Sequence, residues 1–173
     1  ALDRVVQLRS RSARERFLRE AKAAAAIEHD NIVAIHQVGE DRGIPFIAMR
    51  YLRGESLLDR LNREGQLDSV TIAHIGSQIA AGLAAAHDHG LIHRDIKPDN
   101  VWLEESTGRA KILDFGLAHS HDADTELTQS GMVLGTPRYM APEQAQGDPV
   151  DERSELFSLG SGLAHRATGR APV

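Results

Sequence analysis

Between Asn100 and Asp114 the chain carries two short apolar runs, VWL and RAKIL, on either side of the polar stretch EESTG. No other stretch limits the fold so sharply. Runs this short, joined by a glycine-containing turn, close as an antiparallel hairpin. A hairpin centred near Thr107 sets Asn100 and Asp114 opposite each other across its open end. Period-two geometry then gathers an amide and a carboxylate, two hard oxygen donors, at one place. Such a pair, with room left for water and phosphate oxygens, suits Mg²⁺ better than a closed protein cage. Just upstream, residues 93–100 read HRDIKPDN, adding the carboxylate of Asp95 and the ammonium of Lys97. Lys97 can neutralise charge on a transferring phosphoryl group, while Asp95 orients an attacking hydroxyl and accepts its proton.

The flanking sequence predicts elements that can surround this hairpin. Ser12-Ala13-Arg14-Glu15 has the form of a capping box, and apolar Phe17, Leu18, Ala21, Ala24 and Ala25 follow at helical spacing. That pattern predicts one amphipathic helix over 13–28. IVAIHQVG and PFIAMRYL, separated by the turn EDRGI, read as two strands. Asp68 can cap a second long helix with Ile72, Ile75, Ile79, Leu83 and Ala86 as its core stripe, and Gly90 stops it in a left-handed conformation. Residues 117–138 are hydroxyl-rich without periodicity, a long loop. A third helix is expected from Asp151 to about Thr168, followed by Gly169.

At 173 residues, with 41% hydrophobic and 26% charged, the chain can bury a sizeable core. A net charge of −5 argues against a general nucleic-acid surface, and Glu15 and Glu20 break up the basic run 8–22, which reads as a solvated helix face. The absence of cysteine excludes disulfides and thiolate chemistry and fits a reducing, cytoplasmic setting. The alanine-rich runs are polar-flanked, so no membrane segment is expected. The start, ALDRVVQLRS, has no signal-peptide pattern and no initiator Met, as expected of a piece of a longer protein. His87, His89 and His93, and then His119, His121 and Asp124, raise a transition-metal site. Gly90 breaks the first group, and no closed four-ligand pattern is visible in either.

Singly, these motifs are weak: Asp-Phe-Gly can be a turn, and Ala141-Pro142-Glu143 a helix start with Pro at its first position. Together, HRDIKPDN, DFG at 114–116 and GTPRYMAPE at 135–143 resemble the protein-kinase signature set. The resemblance is to serine/threonine protein kinases, especially the bacterial eukaryotic-like group, and covers nearly the whole chain. It implies an α+β, two-lobed fold in truncated form, with a partial small lobe and hinge over 1–52 and an incomplete, mainly helical large lobe over 53–173. By motif it implies that Asp95 is the catalytic base, Lys97 the phosphate-contacting lysine, and Thr136 the threonine bracing both. Asn100 and Asp114 would be the ligands of Mg²⁺. Met49 would be the gatekeeper, and Arg50 to Leu52 the hinge whose backbone bonds the adenine of ATP. Trp102 would lie under that adenine, although burial statistics alone make it a core tryptophan. Glu20 resembles the helix glutamate that pairs with an ATP-anchoring lysine. Arg94 implies control by phosphorylation of the long loop, with Thr128 and Ser130 as the hydroxyls that self-phosphorylation would modify. The implied partner is a protein substrate bearing Ser or Thr.

The chain departs from the pattern in places. Asp3 stands where the anchoring lysine belongs, and the first lysine, Lys22, is two positions from Glu20 and so on another helix face. No glycine-rich loop precedes residue 12, and Glu155 replaces an aspartate that steadies the catalytic loop. The arginine that pairs with the glutamate at Glu143 would lie beyond Val173. Two further readings therefore stand beside an ATP-dependent kinase: a pseudokinase or interaction module that transfers no phosphate, and a gene fragment without autonomous function.

Overall fold

The computed structural model describes residues 11–115 and 139–168. Asp3, Thr128, Ser130, Thr136, the long loop, His119, His121, Asp124 and Gly169 lie outside the described residues. The fold is α+β, with five α-helices and two small antiparallel sheets among the described residues.

Helix α1 spans Arg11–Ala25. The expected capping box is not its start: Ser12 lies inside the helix, because Arg11 and the residues after it are good helix formers and nothing there interrupts the turn. The helix also ends three residues before Glu28. Its last turn tightens, with Ala26 N–H donating to Ala23 O and Ile27 N–H to Ala24 O, both at 3.2 Å. Phe17 and Ala21 bury against Val38 and Ile47, whereas Ala24 and Ile27 join the main core, so α1 spans two apolar clusters.

Strands β1 (Ile35–Asp41) and β2 (Ile44–Met49) pair antiparallel through a two-residue turn. Arg42 and Gly43 both have positive φ there, 48° and 80°, the hand that matches strand twist. β1 begins later than expected because Ile32 and Val33 are recruited elsewhere. Asn31 O accepts from Ile112 N–H at 2.8 Å and Val33 N–H donates to Ile112 O at 3.0 Å, a parallel bridge. β2 ends at Met49, and residues 50–53 run on as a connection.

The connection leads into β3 (Gly54–Ser56) and α2 (Leu57–Glu64), neither expected from the sequence. Ser56 caps α2, its Oγ accepting from Asp59 N–H at 3.0 Å, and Leu57 and Leu61 bury the inner face. Helix α3 (Ser69–His87) starts as expected at Asp68, whose Oδ1 accepts from Val70 N–H and Thr71 N–H. It stops through Gly90 at φ 68°, with Leu91 N–H reaching back to Ala86 O at 3.0 Å. Among the described residues α3 is the single helix long and apolar enough to cross a membrane by length and composition, which the sequence reading did not anticipate. Here its Ile75, Ile79 and Leu83 stripe is core, and each such side chain contributes about 1.5–3 kcal/mol on burial.

A single 3₁₀ turn, Pro98–Asn100, feeds β4 (Val101–Glu104), which pairs with both β3 and β5 (Ala110–Ile112). The hairpin therefore exists, but its register differs by one residue from the expected one. Val101 faces Ile112, so Asn100 faces Leu113 rather than Asp114. The four-residue turn sets that register, with Gly108 N–H donating to Glu104 O and Glu104 N–H to Arg109 O. Helix α4 (Pro142–Gln146) begins with Pro at its first position, and α5 (Glu152–Thr168) follows Asp151, whose Oδ1 accepts from Arg153 N–H.

Candidate active site

The segment 91–100 crosses the base of the hairpin and is anchored by backbone and buried side chains. His93 is fully buried and bonded at both ring nitrogens. Its Nδ1 accepts from Asp95 N–H at 3.2 Å, so its Nε2 carries the hydrogen donated to Leu113 O at 2.7 Å. Burial pushes the imidazole below its ordinary pKa, in keeping with that neutral tautomer. Phe115 packs edge-on against the ring, centroids 4.9 Å apart.

Arg94 holds φ 67°, a left-handed conformation that costs a long side chain roughly 1–2 kcal/mol. Glu155 of α5, 2% exposed, takes the Arg94 N–H on Oε1 at 2.7 Å and meets His87 Nε2 with Oε2 at 2.6 Å. The extra methylene of Glu155 thus does not prevent its carboxylate from reaching the loop backbone. Gln144 of α4 donates to the Arg94 carbonyl at 2.7 Å.

Around Asp95 two of the other singled-out side chains converge. Lys97 Nζ lies 2.7 Å from Asp95 Oδ2, and Asn100 Nδ2 donates to the same oxygen at 3.0 Å and to Asp95 O at 2.8 Å. Both side chains thus hold the same carboxylate oxygen. With its amide nitrogen committed, Asn100 would meet a cation through its oxygen. Asp114 stands next to that oxygen's residue through the bond from Leu113 N–H to Asn100 O, 2.9 Å, and turns away from the strand with φ 52°. One amide oxygen and one carboxylate form an all-oxygen donor set, which fits Mg²⁺.

Met49, Arg50, Leu52, Trp102 and Glu20 stand on other segments of the chain. Met49 ends β2, Arg50 and Tyr51 are exposed, and Leu52 is buried. Arg50 N–H is already spent on Ala34 O at 2.8 Å, which removes one of the expected hinge donors. Trp102 sits on β4 opposite Ser56 and Lys111, with its indole N–H buried and without an acceptor among the described residues. Glu20 lines a cavity of about 310 Å³ between α1 and the loop, together with Arg19, Ala23, Gly90, Leu91, Ile92 and Arg94. Of the three lysines in the chain, Lys97 is at Asp95, Lys111 donates to Asp30 O at 2.6 Å, and Lys22 is exposed on α1. His87, His89 and His93 have separate partners, and no metal-holding group of His, Cys, Asp and Glu occurs among the described residues. Sequence reasoning missed Gln144, whose signal was its place directly after Ala-Pro-Glu, and the pairing of His87 with Glu155.

The chain matches the model of the protein kinase domain over residues 3–173. It is 42% identical over 164 residues to the serine/threonine-protein kinase pkn3 of Myxococcus xanthus, covering 91% of this chain and 30% of that protein. It is similarly 43% identical over 162 residues to pkn2 of the same organism, covering 91% and 19%. Against the serine/threonine-protein kinase PknB of Mycobacterium leprae it is 39% identical over 161 residues, covering 91% and 26%. The chain spans less than a third of the length of these curated relatives.

Proposed function

This chain belongs to the protein kinase domain family, and from that premise we propose that it is catalytic-domain sequence of a serine/threonine kinase. Its reaction is transfer of the γ-phosphate of ATP to a Ser or Thr hydroxyl of a protein. In this reading residues 1–52 are part of a small lobe and hinge, residues 53–173 part of a large lobe, and the nucleotide lies between them. The observation that carries the reading is the Asp95 carboxylate, pinned by Lys97 and Asn100 at the open end of the β4–β5 hairpin.

The acceptor hydroxyl oxygen forms a bond to the γ-phosphorus as the bond from that phosphorus to the bridging oxygen breaks, and ADP departs with the electron pair. Asp95 orients the hydroxyl and takes its proton, which then passes to solvent. Lys97, 2.7 Å from that carboxylate, would also offset charge on the phosphoryl oxygens. Asn100 and Asp114 would hold Mg²⁺, which when bound neutralises phosphate charge. Phosphoryl transfer asks the protein mainly for positioning and electrostatics, so this short list suffices on the acceptor side. Met49, the 50–52 segment and Trp102 would frame the adenine. Arg94 would pair with a phosphate on Thr128 or Ser130, and Thr136 would brace Asp95 and Lys97.

A second reading, a module that binds without transferring, is favoured by the lysines: none of the three stands with Glu20 except exposed Lys22, two residues away. The test measures phosphate transfer from Mg²⁺-ATP to a Ser/Thr-rich protein and to the chain itself. Trp102, the single tryptophan, reports nucleotide binding by fluorescence. Asp95→Asn is expected to lower transfer by about 10²–10⁴-fold and to leave the fluorescence response intact. Binding without transfer in the parent chain would replace the kinase reading by the second.

A further inference from the structure

The left-handed backbone of Arg94 is gripped at both ends by side chains from outside its own loop. Its N–H donates to Glu155 Oε1 at 2.7 Å, and its carbonyl accepts from Gln144 Nε2 at 2.7 Å. That carbonyl belongs to the peptide unit that continues into the nitrogen of Asp95, whose N–H donates to His93 Nδ1 at 3.2 Å. The plane of this one peptide is therefore set by Gln144 on its oxygen side and His93 on its nitrogen side. Its tilt determines where the Asp95 Cα–Cβ bond points.

We propose that Gln144 is a positioning residue for Asp95, holding the Arg94–Asp95 peptide so that the carboxylate faces the acceptor hydroxyl. The inference rests on the phosphotransfer reading above. Gln144 is bonded to the loop backbone and not to the cluster of Asp95, Lys97 and Asn100, so its influence is on orientation rather than on nucleotide binding. Nor does α4 depend on this bond for its own placement. Glu143 Oε1 accepts from Ser154 Oγ of α5 at 2.5 Å, and Ala141 is fully buried. Removing the Gln144 amide thus deletes a grip on the loop and leaves the helix seated.

The test uses the 173-residue chain with Gln144→Ala, which removes the donor. A second variant, Gln144→Glu, keeps the size and sets a carboxylate against the Arg94 carbonyl. Two measurements are made: amide hydrogen exchange at Arg94 and Asp95 by NMR, and steady-state transfer from Mg²⁺-ATP. Both variants are expected to exchange at these two amides about tenfold faster than the parent, with α3 amides unchanged. They are also expected to lose about tenfold in kcat at an unaltered KM for ATP. Unchanged exchange at Arg94 and Asp95 overturns the proposal, as does faster exchange with unaltered kcat. If the parent transfers no phosphate, the kinase reading falls by itself. The exchange result then decides whether Gln144 holds the loop peptide.

Discussion

His93 is bonded at both nitrogens to backbone groups, so its protonation is coupled to folding. A proton on Nδ1 would face the Asp95 N–H that now donates to it, inside the core and against Phe115. Burial lowers the pKa below 6.5, and the bond to Leu113 O and the charges of Glu155, Asp95 and Asp114 only partly offset this. The unfolded chain therefore binds this proton more readily than the folded one. The stability this residue contributes is complete above about pH 6.5 and is lost as pH falls from there towards the depressed folded value. The slope is at most about 1.4 kcal/mol per pH unit for one proton. Urea midpoints between pH 5 and 8 should fall more steeply below pH 6.5 in the parent than in His93→Gln, and parallel curves would contradict the assignment.

At the scale of elements, α3 crosses closely over the end of the β3–β4–β5 sheet. A Cβ at Gly82 would stand 2.9 Å from Ile112 Cδ1 and 3.0 Å from the Asn31 carbonyl. That carbonyl cannot yield freely, because it accepts from Ile112 N–H at 2.8 Å. Gly82→Ala gains about 1 kcal/mol of helix propensity. Overpacking costs about 1–3 kcal/mol, so a net loss of stability is expected in denaturant unfolding. A more stable variant would mean that α3 can lift away. α3 itself was legible in the sequence because cap, stripe and stop signal agree along 19 residues. α2 was not, since eight residues with two buried leucines carry too little periodicity, although Ser56 and Asp59 hold its cap signal. The hairpin was legible as an element but not in register, because one residue more or less in the turn changes every pairing. Asp114 follows Leu113, the residue paired with Asn100, and takes a positive φ that no spacing argument contains. Asp95, Lys97 and Asn100 were legible as a group because they share one short loop. Glu155 reaches that loop from 61 positions away and was legible only through the family resemblance. Gln144, 50 positions away, was not read at all, because local reading has no access to such contacts.

For the molecule as a whole, the proposed nucleotide would touch both sheets, and its binding should register as global stability. At a hundred times its dissociation constant, Mg²⁺-ATP adds about 2.7 kcal/mol. For a chain of this size that is roughly 5–10 °C in Tm. Asp114→Ala should abolish most of the Mg²⁺-dependent part of the shift, whereas Asp95→Asn should keep it. A melt indifferent to Mg²⁺-ATP would remove the nucleotide from the account. The stitching of residues 31–33 to Ile112 has its own mechanical result. It makes the C-terminal end of α1 a fulcrum, with the rest of the helix as its arm. Glu20 lies about 7.5 Å from Ala25 along the axis and Arg11 about 21 Å, at 1.5 Å per residue. Any pivot about that end carries the far tip, and the strands packed on it, nearly three times as far as Glu20.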